Sequence, residues 1–176
     1  MSENPWASKT GRVTSKQARR IFECIGEARG RYLVVGGLAV IAHGFVRLTN
    51  DVDIVLELEP ENVSQTMKAL ASIGYRPLIP VDPVEFGNDE IRGQWAREKN
   101  MIVFQMIDFD DPRTRLDIFI REPFDFSVEY ARAFWDDFEG LKVPFLALDR
   151  LLEMKLASGR PQDLIDYHTL REIHDG

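Results

Sequence analysis

Two aspartates lie close together at a position where paired carboxylates suit metal chemistry. Asp51 and Asp53 begin the run DVDIVLEL (residues 51–58), whose alternation of polar and apolar residues predicts a β-strand. Side chains two residues apart on a strand point to the same side, about 6–7 Å apart along it, so these two carboxylates repel each other. A divalent cation relieves that repulsion, because Mg²⁺ prefers hard oxygen ligands and binds through carboxylates together with substrate phosphates.

Asp117 is a third candidate ligand. It stands between Leu116 and Ile118 in a second predicted strand, where a charge flanked by apolar residues must face either solvent or a site. If the two strands are neighbours, three carboxylates converge, which suits two metal ions roughly 3.5–4 Å apart. The alternative is an ordinary half-exposed strand, because Asp-x-Asp is frequent by chance.

A glycine pair upstream of the aspartates favours the chemical interpretation. Gly36-Gly37 follows a β-rich run and precedes a short predicted helix, and glycine lets backbone N–H groups approach a ligand closely. Helix N-termini also attract phosphate. The pair matches neither the G-x-G-x-x-G pattern nor Walker A, since no Gly-Lys-Ser/Thr follows it. It is a weak signal alone, and more specific with Asp-x-Asp some 14 residues later.

The elements that must position these residues follow from periodicity, capping residues and turn signals. Strands are predicted at 32–35, 51–58, 75–79, 101–107, 115–120 and 141–145, the fourth and fifth forming a hairpin. Helices are predicted at about 14–28, 38–43, 61–73, around Ile91 and Trp95, from a Ser127 cap to about Phe138, and at 147–157 and 161–174. Because no regular βαβ order is present, we expect an α+β (α/β mixed) fold, with a small mixed β-sheet flanked by helices.

Length and composition fit one domain. The chain has 176 residues, 44% hydrophobic and 29% charged, which predicts a single domain over 1–176 with a flexible segment 1–13 and a C-terminal helical pair at 147–176. No apolar run approaches the roughly 20 residues of a membrane span. The N-terminus has no signal-peptide core, so we expect a cytoplasmic protein without a membrane partner. Cys24 is the single cysteine, and we expect a buried thiol.

Charge is distributed unevenly. The net charge is −7, yet residues 1–50 carry 8 Lys/Arg against 3 Asp/Glu, while residues 51–176 carry 14 against 26. The whole chain is too acidic for a general nucleic-acid binder. The basic N-terminal residues either contact phosphates or form a solvated helix face, and the sequence leaves both open. These residues are Lys9, Arg12, Lys16, Arg19, Arg20, Arg29 and Arg31.

An ordered set of segments resembles the DNA-polymerase-beta-type nucleotidyltransferase superfamily, in particular small bacterial members similar to the AbiEii-type toxin nucleotidyltransferases. The segments are VGGLAVIAHG (35–44), RLTNDVDI (47–54), RLDIF (115–119) and the C-terminal LLEMKLASGRPQDLID (151–166). They extend over about residues 33–170, whereas segment 75–100 resembles nothing in the family.

The resemblance implies a metal-dependent enzyme that transfers a nucleoside monophosphate from an NTP to a hydroxyl and releases pyrophosphate. It implies that Asp51 and Asp53 bind both Mg²⁺ (or Mn²⁺) ions, and that Asp117 binds one ion and helps to deprotonate the acceptor. It also implies one set of residues that contacts the nucleotide or its phosphates, and a second set that supports the first. The phosphate-binding set is Gly36, Gly37, Arg47 and Lys155, and the supporting set is Thr49, Arg160, Asp163 and Asp166.

Several of these assignments have structural alternatives. Lys155 either neutralises triphosphate charge or is a surface lysine on an amphipathic helix. Asp163 and Asp166 are three apart on a predicted helix and share one face, where they orient Lys155 or Arg160 rather than do chemistry. Arg47 contacts either a phosphate or a neighbouring carboxylate.

Gly37 departs from much of the superfamily, in which a serine follows the first glycine and its hydroxyl contacts phosphate. The missing contact leaves open a non-catalytic nucleotide-binding or interaction module on the same fold. For an enzyme, the acceptor is tRNA, a protein or a small molecule. A toxin-like member would have a cognate antitoxin, and an antibiotic-modifying member would attract a cationic drug to its acidic half. A phosphodiesterase or nuclease with the same carboxylates is a further alternative, although it lacks the usual histidines.

Overall fold

A computed structural model describes Trp6 and residues 15–176 of the chain, and within them seven strands form one mixed β-sheet. The strands are β1 (Tyr32–Val35), β2 (Asp51–Leu56), β3 (Tyr75–Pro77), β4 (Val103–Asp108), β5 (Arg115–Phe119), β6 (Phe134–Phe138) and β7 (Leu141–Phe145). Their order across the sheet is β3-β4-β5-β2-β1-β7-β6. Helices flank this sheet, which confirms the predicted fold class.

The helices begin and end largely where caps and prolines place them. They are α1 (Ser15–Glu27), α2 (Gly36–Ala42), α3 (Pro60–Ser72), α4 (Asp89–Glu98), α5 (Phe126–Ala131), α6 (Leu148–Ser158) and α7 (Pro161–Asp175), and Pro83–Gly87 forms a 3-10 helix. Pro60 and Pro161 stand in the first turns of their helices, where a missing N–H costs nothing. Gly159 ends α6 in the left-handed conformation at φ 63°, so the chain turns sharply into α7.

The centre of the sheet fixes the positions of the candidate site residues. Strand β2 pairs antiparallel with β1 on one side and parallel with β5 on the other. In this register Asp53 lies opposite both Val35 of β1 and Asp117 of β5. The end of β1, which leads into the glycine pair, and the two carboxylates are therefore side by side.

The hydrophobic core holds this arrangement rigid. All four residues of β1 are buried, as are Val52 and Ile54, which alternate with the aspartates of β2. Helix α1 covers the sheet with Ile21 and Ile25, both fully buried. Each such side chain contributes roughly 1.5–3 kcal/mol when removed from water. Cys24 is buried as expected.

One predicted helix is wrong. The Ser127-capped helix to Phe138 is in fact the short α5, capped by Asp125, followed by strand β6. Residues Glu139 and Gly140 both have positive φ, at 53° and 85°, and this conformation joins β6 to β7 in a tight hairpin. Because β6 is an edge strand with four of its five residues exposed or half-exposed, its sequence lacks a clean alternation of period two.

The remaining differences are shifts of element ends. The predicted strands 51–58 and 75–79 end two residues early, at Leu56 and Pro77. Helix α2 begins at Gly36 rather than Leu38, so the glycine pair forms its first turn. The hairpin of β4 and β5 is confirmed as antiparallel. The predicted flexible segment 1–13, including Lys9 and Arg12, lies outside the described residues except for Trp6.

Candidate active site

Asp53 and Asp117 form the centre of the candidate site. They lie in register on neighbouring parallel strands, which are about 5 Å apart in a sheet. Asp117 is 7% exposed and Asp53 is half-buried. Burial, followed by repulsion from Asp117 and Asp51, raises the pKa of Asp53 to about 7. Burial also raises the pKa of Asp117 to about 6, although Arg115 acts in the opposite direction. Both carboxylates therefore carry their charge at a cost near neutral pH.

Arg115 stands between two of the three candidate ligands. Its Nη2 donates a hydrogen bond to Asp51 Oδ2 at 3.0 Å, and its Nε lies 3.2 Å from Asp117 Oδ1. The second contact is an ion pair without hydrogen-bond alignment. Arg115 Nε and Asp117 Oδ1 are both buried, and neither has a hydrogen-bond partner. The sequence interpretation missed Arg115. The available signal was its position two residues before Asp117, on the same face of a strand.

The residues fit a divalent ion after one rearrangement. Among the described residues, no group of three or more His, Cys, Asp and Glu side chains has the arrangement of a metal site. The guanidinium of Arg115 takes the position of a cation between Asp51 and Asp117. Yet the donors are carboxylates, which Mg²⁺ prefers, and the buried Asp117 Oδ1 has no hydrogen-bond donor. Movement of the guanidinium away from these oxygens therefore leaves a donor set suited to Mg²⁺.

The glycine turn packs directly against the carboxylates. Gly36 adopts φ +64°, and a Cβ atom there would overlap the carboxylate of Asp53. A Cβ atom at Gly37 would overlap the side chain of Thr49. The residue before the turn, Val35, provides no side-chain cap to the first amides of α2. Both glycines are thus required by space, and the first also by conformation.

A cluster of buried ion pairs joins α6 and α7 beside this turn. Lys155 is 7% exposed, and its ammonium lies 2.7 Å from Asp163 and 2.8 Å from Asp166. The two aspartates share one face of α7, as their spacing predicts. Burial alone would raise the pKa of Asp163, but hydrogen bonds from Lys155, Ser158 and Arg160 lower it to about 2. Lys155 is therefore a buried, oriented cation and not a surface lysine.

Arg47 connects this cluster to the loop before β2. Its Nε and Nη2 donate to the two oxygens of Asp166 at 2.7 and 2.8 Å, and its Nη1 donates to the Leu48 carbonyl at 2.8 Å. Of the two alternatives for Arg47, the structure contains the carboxylate pair. The charges of Lys155 and Arg160 lower the pKa of Asp53, so both cations lie within electrostatic range of the carboxylates.

Three of the basic residues of α1 and of the loop after it pair with other groups of the chain. Arg19 pairs with Glu23 at 2.9 Å. Arg20 lies 3.7 Å from Asp108 and donates to the Ile73 carbonyl. Arg31 pairs with Glu57 at 2.9 Å. These contacts agree better with a solvated helix face than with a phosphate-binding surface.

Two surface cavities of the described residues lie away from the candidate site. One of about 290 Å³ lies between α3 and the 3-10 helix, lined by Val63, Met67 and Val84 among others. Another, of about 480 Å³, lies between the 3-10 helix and α4. Neither contains a candidate site residue, so the site is identified by its carboxylates and not by cavity volume. No helix of the described residues is long and apolar enough to cross a bilayer.

Comparison with known proteins identifies the fold. No protein-family model and no curated protein sequence matches the chain. Among solved structures, the lincomycin-bound lincosamide antibiotic adenylyltransferase LnuA is similar, with a TM-score of 0.61, 17% identity, and coverage of 93% of this chain and 99% of that one. ANT(2″)-Ia in complex with adenylyl-2″-tobramycin has a TM-score of 0.57 and 15% identity, covering 91% and 88%.

A Thermotoga maritima protein assigned as a nucleotidyltransferase has a TM-score of 0.56 and 15% identity, covering 91% of each chain. At these identities the similarity is one of fold, and the chain therefore has the fold of nucleotidyltransferases. A specific relation to AbiEii-type toxins stays a prediction.

Proposed function

We propose that this chain transfers a nucleoside monophosphate from an NTP to an acceptor hydroxyl and releases pyrophosphate. The observation that carries the proposal is the register of Asp53 opposite Asp117, with the Gly36 turn against Asp53. The fold shared with the antibiotic adenylyltransferase LnuA, and with ANT(2″)-Ia in complex with adenylyl-2″-tobramycin, supports it.

The bonds exchanged define the task of the site. The acceptor oxygen forms a bond to the α-phosphorus, and the bond from that phosphorus to the oxygen bridging to the β-phosphate breaks. Pyrophosphate leaves with the bonding electron pair, and the acceptor proton goes to a base. Divalent ions held by Asp51, Asp53 and Asp117, once Arg115 has moved, would neutralise phosphate charge and activate the acceptor hydroxyl.

Asp117 is the proposed base. Its Oδ1 has no hydrogen-bond donor, and its pKa of about 6 lies close to neutrality, where a base is most effective. Before it moves, Arg115 holds the neighbouring Asp51 in place by a hydrogen bond. An acceptor hydroxyl that reaches Asp117 is thereby brought beside the carboxylates that face the nucleotide.

The nucleotide phosphates are proposed to lie between the glycine turn and the cations of α6 and α7. Lys155 has two of its three N–H groups directed at Asp163 and Asp166, which leaves one donor for a phosphate oxygen. Arg160 pairs with Asp163 through its Nε at 2.7 Å, and its side chain is 77% exposed, so its remaining N–H groups are accessible to the polyphosphate. Gly36 and Gly37 allow close approach of the backbone.

For the acceptor we propose a cationic small molecule. The net charge of −7 attracts cations, and LnuA and ANT(2″)-Ia are described with lincomycin and adenylyl-2″-tobramycin. A toxin-like enzyme acting on tRNA or protein, with a cognate antitoxin, is the second candidate. Its support was the basic N-terminal segment, of which Arg19 and Arg20 are paired within the chain.

The test is incubation of the purified protein with each α-labelled NTP, Mg²⁺, and separate panels of aminoglycosides, lincosamides and tRNA. We expect label on a drug, and drug resistance of cells that express the protein. Label on tRNA with growth arrest would instead identify the toxin-like reaction. NTP binding that is independent of Mg²⁺, with no labelled product, would show a non-catalytic module and overturn the proposal.

A further inference from the structure

Thr49 holds a hydroxyl that has no strong partner within the chain. The residue is 8% exposed, and its Oγ1 donates only to the Asp51 carbonyl at 3.5 Å, the outer limit for a hydrogen bond. Buried hydroxyls usually have a well-formed partner, because an unsatisfied polar group is costly. The Thr49 hydroxyl is therefore available to a stronger acceptor placed beside it.

The Thr49 hydroxyl occupies the space that a side chain at residue 37 would need. A Cβ atom at Gly37 would overlap both Oγ1 and Cβ of Thr49, while Arg47 Nη1 would lie 3.4 Å away. The atoms of Thr49 thus occupy the space where a residue-37 side chain would begin. A serine at position 37 and a threonine at position 49 do not fit together.

Several contacts keep Thr49 at this point. The loop before β2 is anchored two residues earlier by Arg47, whose guanidinium binds both oxygens of the fully buried Asp166. The adjacent glycine, Gly36, packs on Asp53. Asp53 and Thr49 thus pack against successive glycines of one turn, so a phosphate held by a metal ion at Asp53 would lie near the hydroxyl.

We propose that Thr49 is a nucleotide-positioning residue whose hydroxyl donates a hydrogen bond to a phosphate oxygen of the bound NTP. This inference rests on the proposed function. It implies that the glycine at position 37 does not remove a phosphate contact from the site, because the neighbouring loop supplies the hydroxyl. It also implies that the phosphate-binding hydroxyl can be carried by residue 37 or by residue 49, but not by both at once.

The experiment measures binding of α,β-methylene analogues of ATP, GTP, CTP and UTP by calorimetry with Mg²⁺. Thr49→Val keeps the shape and removes the hydroxyl, and a lost hydrogen bond to a charged phosphate weakens binding by about 10- to 100-fold. Thr49→Ser retains the hydroxyl and should bind within about threefold of wild type, since the donor is kept. Gly37→Ser with Thr49→Gly returns the hydroxyl to position 37 and should recover most of the affinity.

Thr66→Val is the matched control. Thr66 is fully buried on α3, and its hydroxyl has no hydrogen-bond partner, so its removal should leave the dissociation constant unchanged. Thermal unfolding of each variant separates a structural defect from a binding defect. In turnover, Thr49→Val should raise the KM for NTP and leave the KM for the acceptor unchanged.

The outcomes separate the two proposals. If wild type binds none of the four analogues, the proposed function fails. If wild type binds an analogue and Thr49→Val binds it equally well, the role of Thr49 is overturned while the proposed function stands. Binding by Thr49→Ser as weak as that of Thr49→Val would also overturn it, because the hydroxyl would then not be the donor.

Discussion

The facing carboxylates Asp53 and Asp117 determine how the site responds to pH. Their pKa values of about 7 and about 6 lie above the value of roughly 4 for an unfolded aspartate. Between about pH 4 and 7 the folded chain therefore binds more protons than the unfolded chain, and these two groups make the metal-free protein less stable as the pH rises. A divalent ion competes with these protons.

We accordingly predict that Mn²⁺ affinity falls as the pH is lowered from about 8 to about 5.5, because Asp53 and Asp117 become protonated. Calorimetry in buffers of different ionisation enthalpy measures both the affinity and the protons released near pH 6.5. An affinity that is independent of pH, with no proton release, would contradict the assignment of these carboxylates as ligands.

Arg115 competes with the metal for the same oxygens. Replacement by glutamine removes a positive charge that lies 3.0 Å from Asp51 and 3.2 Å from Asp117. Since this arginine is partly exposed, we expect a gain on the order of 1 kcal/mol, or about fivefold tighter Mn²⁺ binding without nucleotide. The matched control is Arg113→Gln, whose exposed side chain pairs with Asp111. Unchanged or weaker binding by Arg115→Gln would show that the arginine does not occupy the cation position.

At the scale of elements, α7 is attached to the site through Asp166. This carboxylate is fully buried and pairs with Arg47 of the loop before β2 and with Lys155 of α6. Its removal leaves Arg47 without its carboxylate partner and Lys155 with Asp163 alone, so Asp166→Ala should lower the free energy of unfolding by about 3–5 kcal/mol. Urea unfolding measures this change.

Asp175→Ala is the control for the same helix. Asp175 forms an exposed pair with Arg171 one turn earlier, and such pairs contribute about 1 kcal/mol or less. Equal effects of the two substitutions would show that the buried cluster does not hold α7.

Sequence patterns predicted the elements wherever one face of an element is buried. The alternation of β2 and the apolar run of β1 located both strands, because burial imposes a clear period. Strand β6 was missed because it lies at the sheet edge and is mostly exposed. Its main signal in the sequence was Gly140, which with Glu139 forms the positive-φ turn. Segment 75–100, without a motif, contains a short edge strand, the 3-10 helix and α4.

The candidate site was predictable only in part, for a related reason. Asp163 and Asp166 are three apart on one helix, so their shared face follows from local geometry. The pairing of Arg47 with Asp166 spans 119 residues, and the contact of Arg115 with Asp51 spans 64. Such contacts depend on strand register and helix packing, which residue spacing does not specify.

At the scale of the whole molecule, the negative charge bears on the acceptor. Residues 51–176 carry 26 Asp/Glu against 14 Lys/Arg, so they attract a cationic acceptor. Dissolved salt screens this attraction. Raising the ionic strength from about 0.01 M to about 0.15 M shortens the screening length from about 30 Å to about 8 Å. We predict a several-fold increase in the KM of a cationic acceptor, measured by steady-state kinetics. An equal change for an uncharged acceptor would contradict an electrostatic origin.

Label transfer from NTP by wild type and by Asp53→Asn/Asp117→Asn tests whether these two carboxylates carry out the reaction. Asparagine removes the ligand charge and the base, so transfer should fall on the order of 10²–10⁴-fold or more. The variant should unfold at the same or a higher temperature without metal, because the repulsion and the cost of burying two charges are removed. Asp110→Asn, at an exposed aspartate, serves as the control. Transfer by the double variant at the wild-type rate would show that Asp53 and Asp117 do not catalyse the reaction.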